Sequence, residues 1–261
     1  DLVELLIQYG AELDRTDILG RSALHYGALV SQSQVVELLL KAGADAKIED
    51  KHGHTALHFA VDSLGTGLEG IAALSKAYPW AAIKPNEQKK TPLHIIVGAD
   101  RKEDKDALMT MLNAMSCEGM ISPPACLSPR SERGHTPLHL AVLERKVSLV
   151  RLLIASGAEV DTRDQLGRTP LECAVRDMDW NIVALLLAAG ASMRRLINED
   201  GLLPHVKDDT IGEMLINAYL NPMKLSSLCR RVVSRTWGPS FQRNLDEFPR
   251  TWRDFLSYRE L

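Results

Sequence analysis

The chain repeats one pattern of apolar and polar positions about every 33 residues. In its clearest copy, Leu138, Ala141 and Val142 follow a Thr-Pro pair at spacings that place them on one face of a helix. A second apolar stripe follows over residues 147–154. Because threonine caps a backbone N–H group and proline at the first helical position has none to satisfy, the Thr-Pro pair predicts a helix start. The pattern predicts two short helices joined by a turn.

Glycines mark the end of each unit and the start of the next. Gly157, which alanine follows, closes the second helix because glycine adopts the left-handed conformation at little cost. A polar connection from Asp164 to Gly167 then predicts a tight hairpin before the next helix. The phrase Thr-Pro-Leu-His, or a variant of it, begins at Ser22, Thr55, Thr91, Thr136 and Thr169, at intervals of 33, 36, 45 and 33 residues. Such a period predicts stacked helix-turn-helix units.

The Asp-x-x-Gly-x-Thr-Pro-Leu-His start and the Leu-Leu-x-x-Gly-Ala finish closely resemble the ankyrin repeat. The resemblance covers residues 1–220 and implies an all-α ankyrin-repeat solenoid, in which helix-turn-helix units are joined by short hairpins. A partial repeat comes first, so the chain is expected to begin inside a repeat, and a decayed repeat around Gly201 comes last. The five recognisable units begin near Asp17, Asp50, Asn86, Ser131 and Asp164.

Three departures from this pattern lie in the middle of the chain. Lys89 replaces the hairpin glycine of the third unit, and residues 78–80 (Tyr-Pro-Trp) replace the Gly-Ala finish of the second. Residues 117–129, with three prolines, form an insertion that lengthens one interval to 45 residues. Such an insertion either bends or decorates the binding face of a solenoid or is a tolerated surface loop, and the sequence leaves both interpretations open.

Composition and charge exclude several classes of function. The net charge of -3 gives no general reason to expect binding to nucleic acid or to an anionic membrane. No apolar run approaches the roughly 20 residues that cross a bilayer. The four cysteines lack the spacing of zinc ligands or of a disulfide framework, and no phosphate-binding loop or nucleophile motif occurs. These observations predict a cytoplasmic or nuclear protein that is not an enzyme and holds no metal or cofactor.

Four histidines occupy the same place in successive repeats, namely His25, His58, His94 and His139. A metal site or a catalytic role would need a cluster of carboxylates or cysteines at ligand spacing, which the sequence lacks. We therefore interpret each histidine as a hydrogen-bonding residue at a junction between hairpin and helix. The run from Arg101 to Asp106 mixes both charge signs and is interpreted as a solvated loop.

The hairpin tips are the expected binding surface, because residues there are free of packing duties in a solenoid. On the ankyrin pattern, the tips and the adjoining first helices form one concave face that would recognise a target protein. The predicted target-binding residues are Ile18, Leu19, Arg21, Lys51, His52, His54, Glu132, Arg133, His135, Gln165, Leu166 and Arg168.

A different apolar pattern begins after Pro222. The stripe at helical spacing consists of Leu225, Leu228, Cys229, Val232 and Val233. This segment resembles the SOCS box of the ankyrin-repeat and SOCS-box family, a small helical module whose Leu-x-x-x-Cys helix inserts into elongin C. The resemblance implies that residues 221–261 form a SOCS box after the ankyrin-repeat domain of residues 1–220, and that the five stripe residues bind elongin B/C.

The resemblance also implies a function. In this family the SOCS box connects a target-binding domain to a cullin–RING scaffold, so the chain is expected to be the substrate-recognition subunit of an elongin–cullin–RING ubiquitin ligase. The cullin-selecting segment is incomplete here, because only Phe248 and Pro249 of the Leu-Pro-aliphatic-Pro pattern remain, and this leaves the type of cullin open. The alternative is a non-catalytic ankyrin scaffold or inhibitor whose C-terminal helices only cap the solenoid.

Overall fold

A computed structural model describes residues 2–30, 33–63, 67–99, 101, 103–117, 127–193, 196–198 and 201–202. The chain divides into two compact units, Asp1–Leu140 and Ala141–Leu261. The SOCS-like segment and the predicted second helix of the decayed repeat lie outside the described residues.

The first unit consists of short helices that alternate with hairpin connections. Its elements are α1 (Leu2–Gln8), α2 (Ala23–Leu29), α3 (Ser33–Lys41), α4 (Ala56–Ser63), α5 (Gly67–Ala77), a 3-10 helix (Pro79–Ile83), α6 (Pro92–Gly98), α7 (Asp104–Cys117) and the start of α8 (Pro137–Leu143).

Two layers of helices enclose the core of the first unit. The first helices of the repeats pack in sequence, with α2 against α4 and α4 against α6, while the second helices pack as α3 against α5 and α5 against α7. The leucine of each Thr-Pro-Leu-His phrase lies between the layers, and Leu24, Leu57, Leu93 and Leu138 are each at most 1% exposed. The same sequence position therefore supplies the core of each repeat, as the period of the apolar pattern predicts.

The second unit is built from the same kind of short helices. It contains α9 (Val147–Ala155), α10 (Pro170–Arg176) and α11 (Trp180–Ala188), followed by two strands, Ile197–Asn198 and Gly201–Leu202. The strands pair antiparallel, with Ile197 opposite Leu202. Helix α11 packs against both α9 and α10. The prediction of an all-helical repeat fold is confirmed, and this two-residue strand pair is the exception within the described residues.

The Gly-Ala pairs close the second helices as predicted. Gly43 has a φ of 94° and its N–H group bonds to the carbonyl of Leu40, while the N–H group of Ala44 reaches back to Leu39. Gly157 and Gly190 have the same conformation and the same pair of bonds. These two hydrogen bonds satisfy carbonyl groups that the helix end leaves free. Where the second repeat has Tyr-Pro-Trp instead, the chain continues into the 3-10 helix.

The charged run from Arg101 to Asp106 is not a solvated loop throughout. Asp104 is 3% exposed and begins α7. The Arg101 guanidinium bonds to the Asp104 carboxylate at 3.0 Å and to the backbone carbonyl oxygens of Val61 and Asp62 at the end of α4. The mixed charges therefore join the second repeat to the third. None of the helices in the described ranges has the length and apolar content that crossing a bilayer requires.

Candidate functional site

The histidines of the repeated phrase fix the junction between hairpin and helix. In the third repeat, His94 Nδ1 accepts a hydrogen bond from the backbone N–H group of Thr91 at 3.3 Å and lies 2.8 Å from the Thr91 hydroxyl oxygen. His25, His58 and His139 make the equivalent pair of contacts with Ser22, Thr55 and Thr136. In the second unit Glu172 replaces histidine, and its carboxylate accepts from the N–H group of Thr169 at 3.1 Å.

The other ring nitrogen of His25, His58 and His94 connects one repeat to the next. His94 Nε2 donates to the carbonyl oxygen of His135 at 2.9 Å, and His58 Nε2 to that of Lys90 at 3.3 Å. Because Nδ1 accepts a backbone N–H bond, the proton belongs on Nε2 and the ring is neutral. Burial, which penalises the charged ring, lowers the pKa of His58 and of His94 to about 4. The predicted structural role of these histidines is confirmed.

Three of the five hairpin tips are held by a carboxylate at their first position. Asp50 Oδ1 accepts from the backbone N–H groups of His52 and His54 at 2.9 and 2.8 Å, and its side chain is fully buried. Burial raises the pKa of Asp50, but these N–H groups and the His54 ring outweigh burial and hold it below its ordinary value. Asp17 and Asp164 bind their own hairpins in the same way.

Successive hairpins also bind each other through their backbones. The N–H group of Lys51 donates to the carbonyl of Leu19, and that of Glu87 to the carbonyl of His52, both at 2.9 Å. A Cβ atom at Gly53 would lie 3.3 Å from the Asn86 backbone, so glycine is needed there for close approach as well as for its φ of 74°. The first three tips therefore form one continuous edge of the first unit.

A cavity of about 380 Å³ lies beside this edge in the first unit. Its apolar lining includes Phe59 on α4 and Ile95 on α6, and its polar lining includes Asp62, Gln88 and Lys90. Pockets that bind ligands usually have volumes of roughly 300–1,000 Å³. The cavity is thus large enough for one or two side chains of a partner.

Two residues that line the cavity, Phe59 and Ile95, are part of an apolar stripe that was not predicted from the sequence. Tyr26, Phe59, Ile95 and Leu140 each stand four residues after the Ser or Thr that starts a first helix. Tyr26 is 43% exposed and the other three are half-buried. Their common spacing from the cap was a signal available in the sequence, since the core takes the second, fifth and sixth positions after the cap and leaves the fourth on the opposite face.

The sequence matches the family profile described as ankyrin repeats (3 copies) over residues 1–79 and 106–196. These two ranges cover more than half of the chain. The chain belongs to the ankyrin-repeat family. The fold is also similar to the crystal structure of the ankyrin repeat domain of Bcl-3, described as a unique member of the IκB protein family, with a TM-score of 0.65 and 26% sequence identity. That similarity covers 83% of this chain and 90% of the Bcl-3 chain. Ankyrin repeats are protein-interaction domains and are typically not enzymes.

Eight of the predicted target-binding residues lie exposed on the ankyrin hairpin tips. Ile18 is 84% exposed, Leu166 is 73% exposed and Leu19 is 38% exposed. The polar members of this set are Lys51, His52, Arg133 and Gln165, and Glu132 is exposed on the same tip as Arg133. His52 bonds to Glu87 of the next hairpin at 3.1 Å. These positions offer both apolar and charged groups to a partner.

Four predicted tip residues have structural partners instead. His135 is 7% exposed and stacks on His139, so its side chain is not available to a partner as predicted. Arg168 binds the buried Asp164 carboxylate through two nitrogen atoms. Arg21 lies 3.8 Å from Asp50 and 5.1 Å from the centre of the Phe59 ring, and His54 bonds to both Asp50 and Asn86. The side chain at the fifth hairpin position thus has a partner within the chain in all four of these repeats, and in Arg21 and His54 that partner includes a residue of the next repeat.

No group of three or more His, Cys, Asp and Glu side chains in the described parts of the chain is arranged to hold a metal ion. Cys173, at the position equivalent to Ile95, is fully buried in the second unit, and burial raises the pKa of its thiol to about 11. A thiol with that pKa stays protonated near neutral pH and is a poor nucleophile. Among the described residues, buried polar side chains therefore form hydrogen bonds within and between repeats. The hairpin tips and the apolar stripe are the parts that remain accessible to a partner.

Proposed function

We propose that this protein is the substrate-recognition subunit of an elongin–cullin–RING ubiquitin ligase. The observation that carries the proposal is the order of two patterns in one chain, with ankyrin repeats first and the Leu225 to Val233 stripe after them. In this division, residues 1–220 bind the target and residues 221–261 form the SOCS box.

The stripe has the character of a helix that binds a groove. Leu225 and Leu228 supply large apolar groups, Cys229 supplies a small one, and Val232 and Val233 continue the face one turn further. Arg230 and Arg231 lie off this face. Elongin B/C is the proposed partner of this helix, and Phe248 and Pro249 are proposed to contact a cullin whose type the incomplete motif leaves open.

On the target side, we propose that the first unit binds through the exposed tip residues together with the stripe Tyr26, Phe59, Ile95 and Leu140. Within the first unit the tip residues and the stripe are neighbours, because both adjoin the starts of the first helices. Tethering a bound target beside the ubiquitin-carrying enzyme would raise the effective concentration of its lysines. The transfer chemistry then belongs to the partner proteins.

Co-purification tests the ligase proposal. We expect the tagged chain to retain elongins B and C, and a variant with Leu225→Ala and Cys229→Ala to lose both. A variant with Ser227→Ala is the matched control, since helical spacing places this residue opposite the stripe and the change should leave retention unchanged. Circular dichroism of each variant checks that the repeats remain folded. If the wild-type chain retains neither elongin, the scaffold or inhibitor alternative replaces the ligase proposal.

A further inference from the structure

The cavity in the first unit has an apolar floor with open space above it. Phe59, Ile95 and Ala99 line it, and Phe59 is held in place by edge contacts with the rings of His25 and His54 at 5.7 and 5.5 Å. Gly98 also lines the cavity, and a Cβ atom built on it meets no atom within 4 Å. The floor therefore offers room for a bulky apolar side chain that this chain does not itself supply.

Opposite charges stand at the two ends of the cavity. Lys90 ends the third hairpin, directly before the cap of α6, and Asp62 lies in the last turn of α4. Both side chains are exposed, and within the described residues neither forms an ion pair. The nearby Arg101 guanidinium is already paired with the Asp104 carboxylate at 3.0 Å. Lys90 and Asp62 thus remain available to charges of a partner.

The length of the first helices sets the separation of these charges. Asp62 lies seven residues after Thr55, the cap that is equivalent to Thr91 beside Lys90. At 1.5 Å per residue along a helix and roughly 9 Å between the axes of packed helices, the two ends of the cavity are roughly 14 Å apart. An extended chain covers roughly 3.3 Å per residue, so this distance corresponds to about four residues of a bound segment.

We infer that the cavity binds an extended target segment in which one bulky apolar side chain inserts between Phe59 and Ile95. An acidic residue on one side of it reaches Lys90, and a basic residue on the other side, about four positions from the first, reaches Asp62. This inference rests on the proposed function only in assigning target binding to the ankyrin repeats. The two opposed charges give the segment a direction as well as an anchor.

Selection from a random peptide-display library tests this inference, with the full chain as bait. For the wild type we expect an enriched motif with a large apolar residue between an acidic and a basic residue. A synthetic peptide carrying the motif should bind Gly98→Leu at least tenfold more weakly, because the new side chain fills the cavity. Ala42→Leu adds the same side chain at an exposed site outside the cavity and should leave affinity unchanged.

Charge-swapped baits test the direction of the segment. Selection on Lys90→Glu should replace the acidic position of the motif by a basic one, and selection on Asp62→Lys should replace the basic position by an acidic one. Lys76→Glu, at an exposed site on α5, should select the wild-type motif. Circular dichroism and urea unfolding check whether each bait is folded. If a charge-reversed bait is unfolded, Lys90→Gln or Asp62→Asn replaces it, and the selected motif should then show no charge preference at the corresponding position.

The inference is overturned if selection yields no motif, if the peptides bind Gly98→Leu as tightly as the wild type, or if the charge variants select an unchanged motif. These readouts are separate from elongin retention, which involves none of the cavity residues. Retention of elongins without a cavity-dependent motif rejects the inference alone. A cavity-dependent motif without elongin retention rejects the ligase proposal and leaves the inference standing.

Discussion

Arg168 and Asp164 form a close side-chain pair on a hairpin tip of the second unit. The Arg168 Nε and Nη2 atoms lie 2.9 and 2.8 Å from Asp164 Oδ2, while Asp164 Oδ1 accepts from the Arg168 backbone N–H group at 2.8 Å. The Asp164 side chain is fully buried and that of Arg168 is 28% exposed. Arg168, which the sequence pattern predicts to bind a target, thus forms a structural ion pair within its own hairpin.

The first prediction concerns this pair. Arg168→Glu should lower the free energy of unfolding by about 2–3 kcal/mol, because a buried carboxylate would face a second negative charge in place of its cation. Arg133→Glu, on an exposed tip position, should change it by less than about 0.5 kcal/mol. Urea unfolding of both variants at pH 7 measures the difference. Equal stability of the two variants would show that the Arg168 contact contributes nothing.

The second prediction concerns acid. Since the pKa of His58 and of His94 is about 4 in the folded state and about 6.5 in the unfolded state, the unfolded chain binds more protons between these values. The stabilisation is present above pH 6.5 and is lost as the pH falls towards 4. Lowering the pH from 7 to 5 should therefore cost about 1–2 kcal/mol per histidine, which urea unfolding at both pH values measures.

His94→Gln provides the control for the acid prediction. Its amide oxygen can accept from Thr91 and its amide nitrogen can donate to His135, but it does not titrate. This variant should be less stable than the wild type at pH 7 and should lose less stability on acidification. An unchanged pH dependence in the variant would contradict the assignment to His94.

The third prediction concerns backbone strain at Met178. Met178 has a φ of 55°, in the left-handed region that costs residues other than glycine about 1 kcal/mol or more, and it is 52% exposed. Met178→Gly should therefore raise the free energy of unfolding by about 0.5–1 kcal/mol. Gly167→Ala, at a φ of 74°, should lower it by a similar amount. Thermal unfolding of the two variants should shift the melting temperature in opposite directions.

The fourth prediction concerns Arg101. Its guanidinium binds the carbonyl oxygens of Val61 and Asp62 and the buried carboxylate of Asp104, so it joins α4 to α7. Arg101→Ala should lower the free energy of unfolding by about 2–3 kcal/mol, because these acceptors lose their charged donor. Arg101→Lys should be intermediate, since one ammonium group cannot reach all three acceptors. Lys105 is exposed on α7, so Lys105→Ala should have little effect. Urea unfolding of the three variants and the wild type measures these differences.

Much of the repeat fold was predictable because it depends on local rules. The caps at Thr91 and Thr169, the left-handed glycines after the second helices and the buried leucines all follow from spacing within about 12 residues. Lys89 shows the limit of prediction from local spacing. It replaces the hairpin glycine, yet its backbone keeps the hairpin conformation with a φ of 54°. Its neighbours hold it there, since Lys89 N–H bonds to Asn86 and Asn86 bonds back to Lys90.

The sequence by itself determined the repeat, its helices, its caps and the residues that fill its core, because hydrophobic spacing and capping act over a few residues. Only the tertiary structure decided which polar residues of the hairpin tips remain exposed. Arg21, His54 and Arg168 share the polar character of Lys51 and Arg133, but the buried carboxylates of Asp50 and Asp164 hold the first three. The cavity between Phe59 and Ile95 likewise exists only where two repeats stack, since it needs one wall from each.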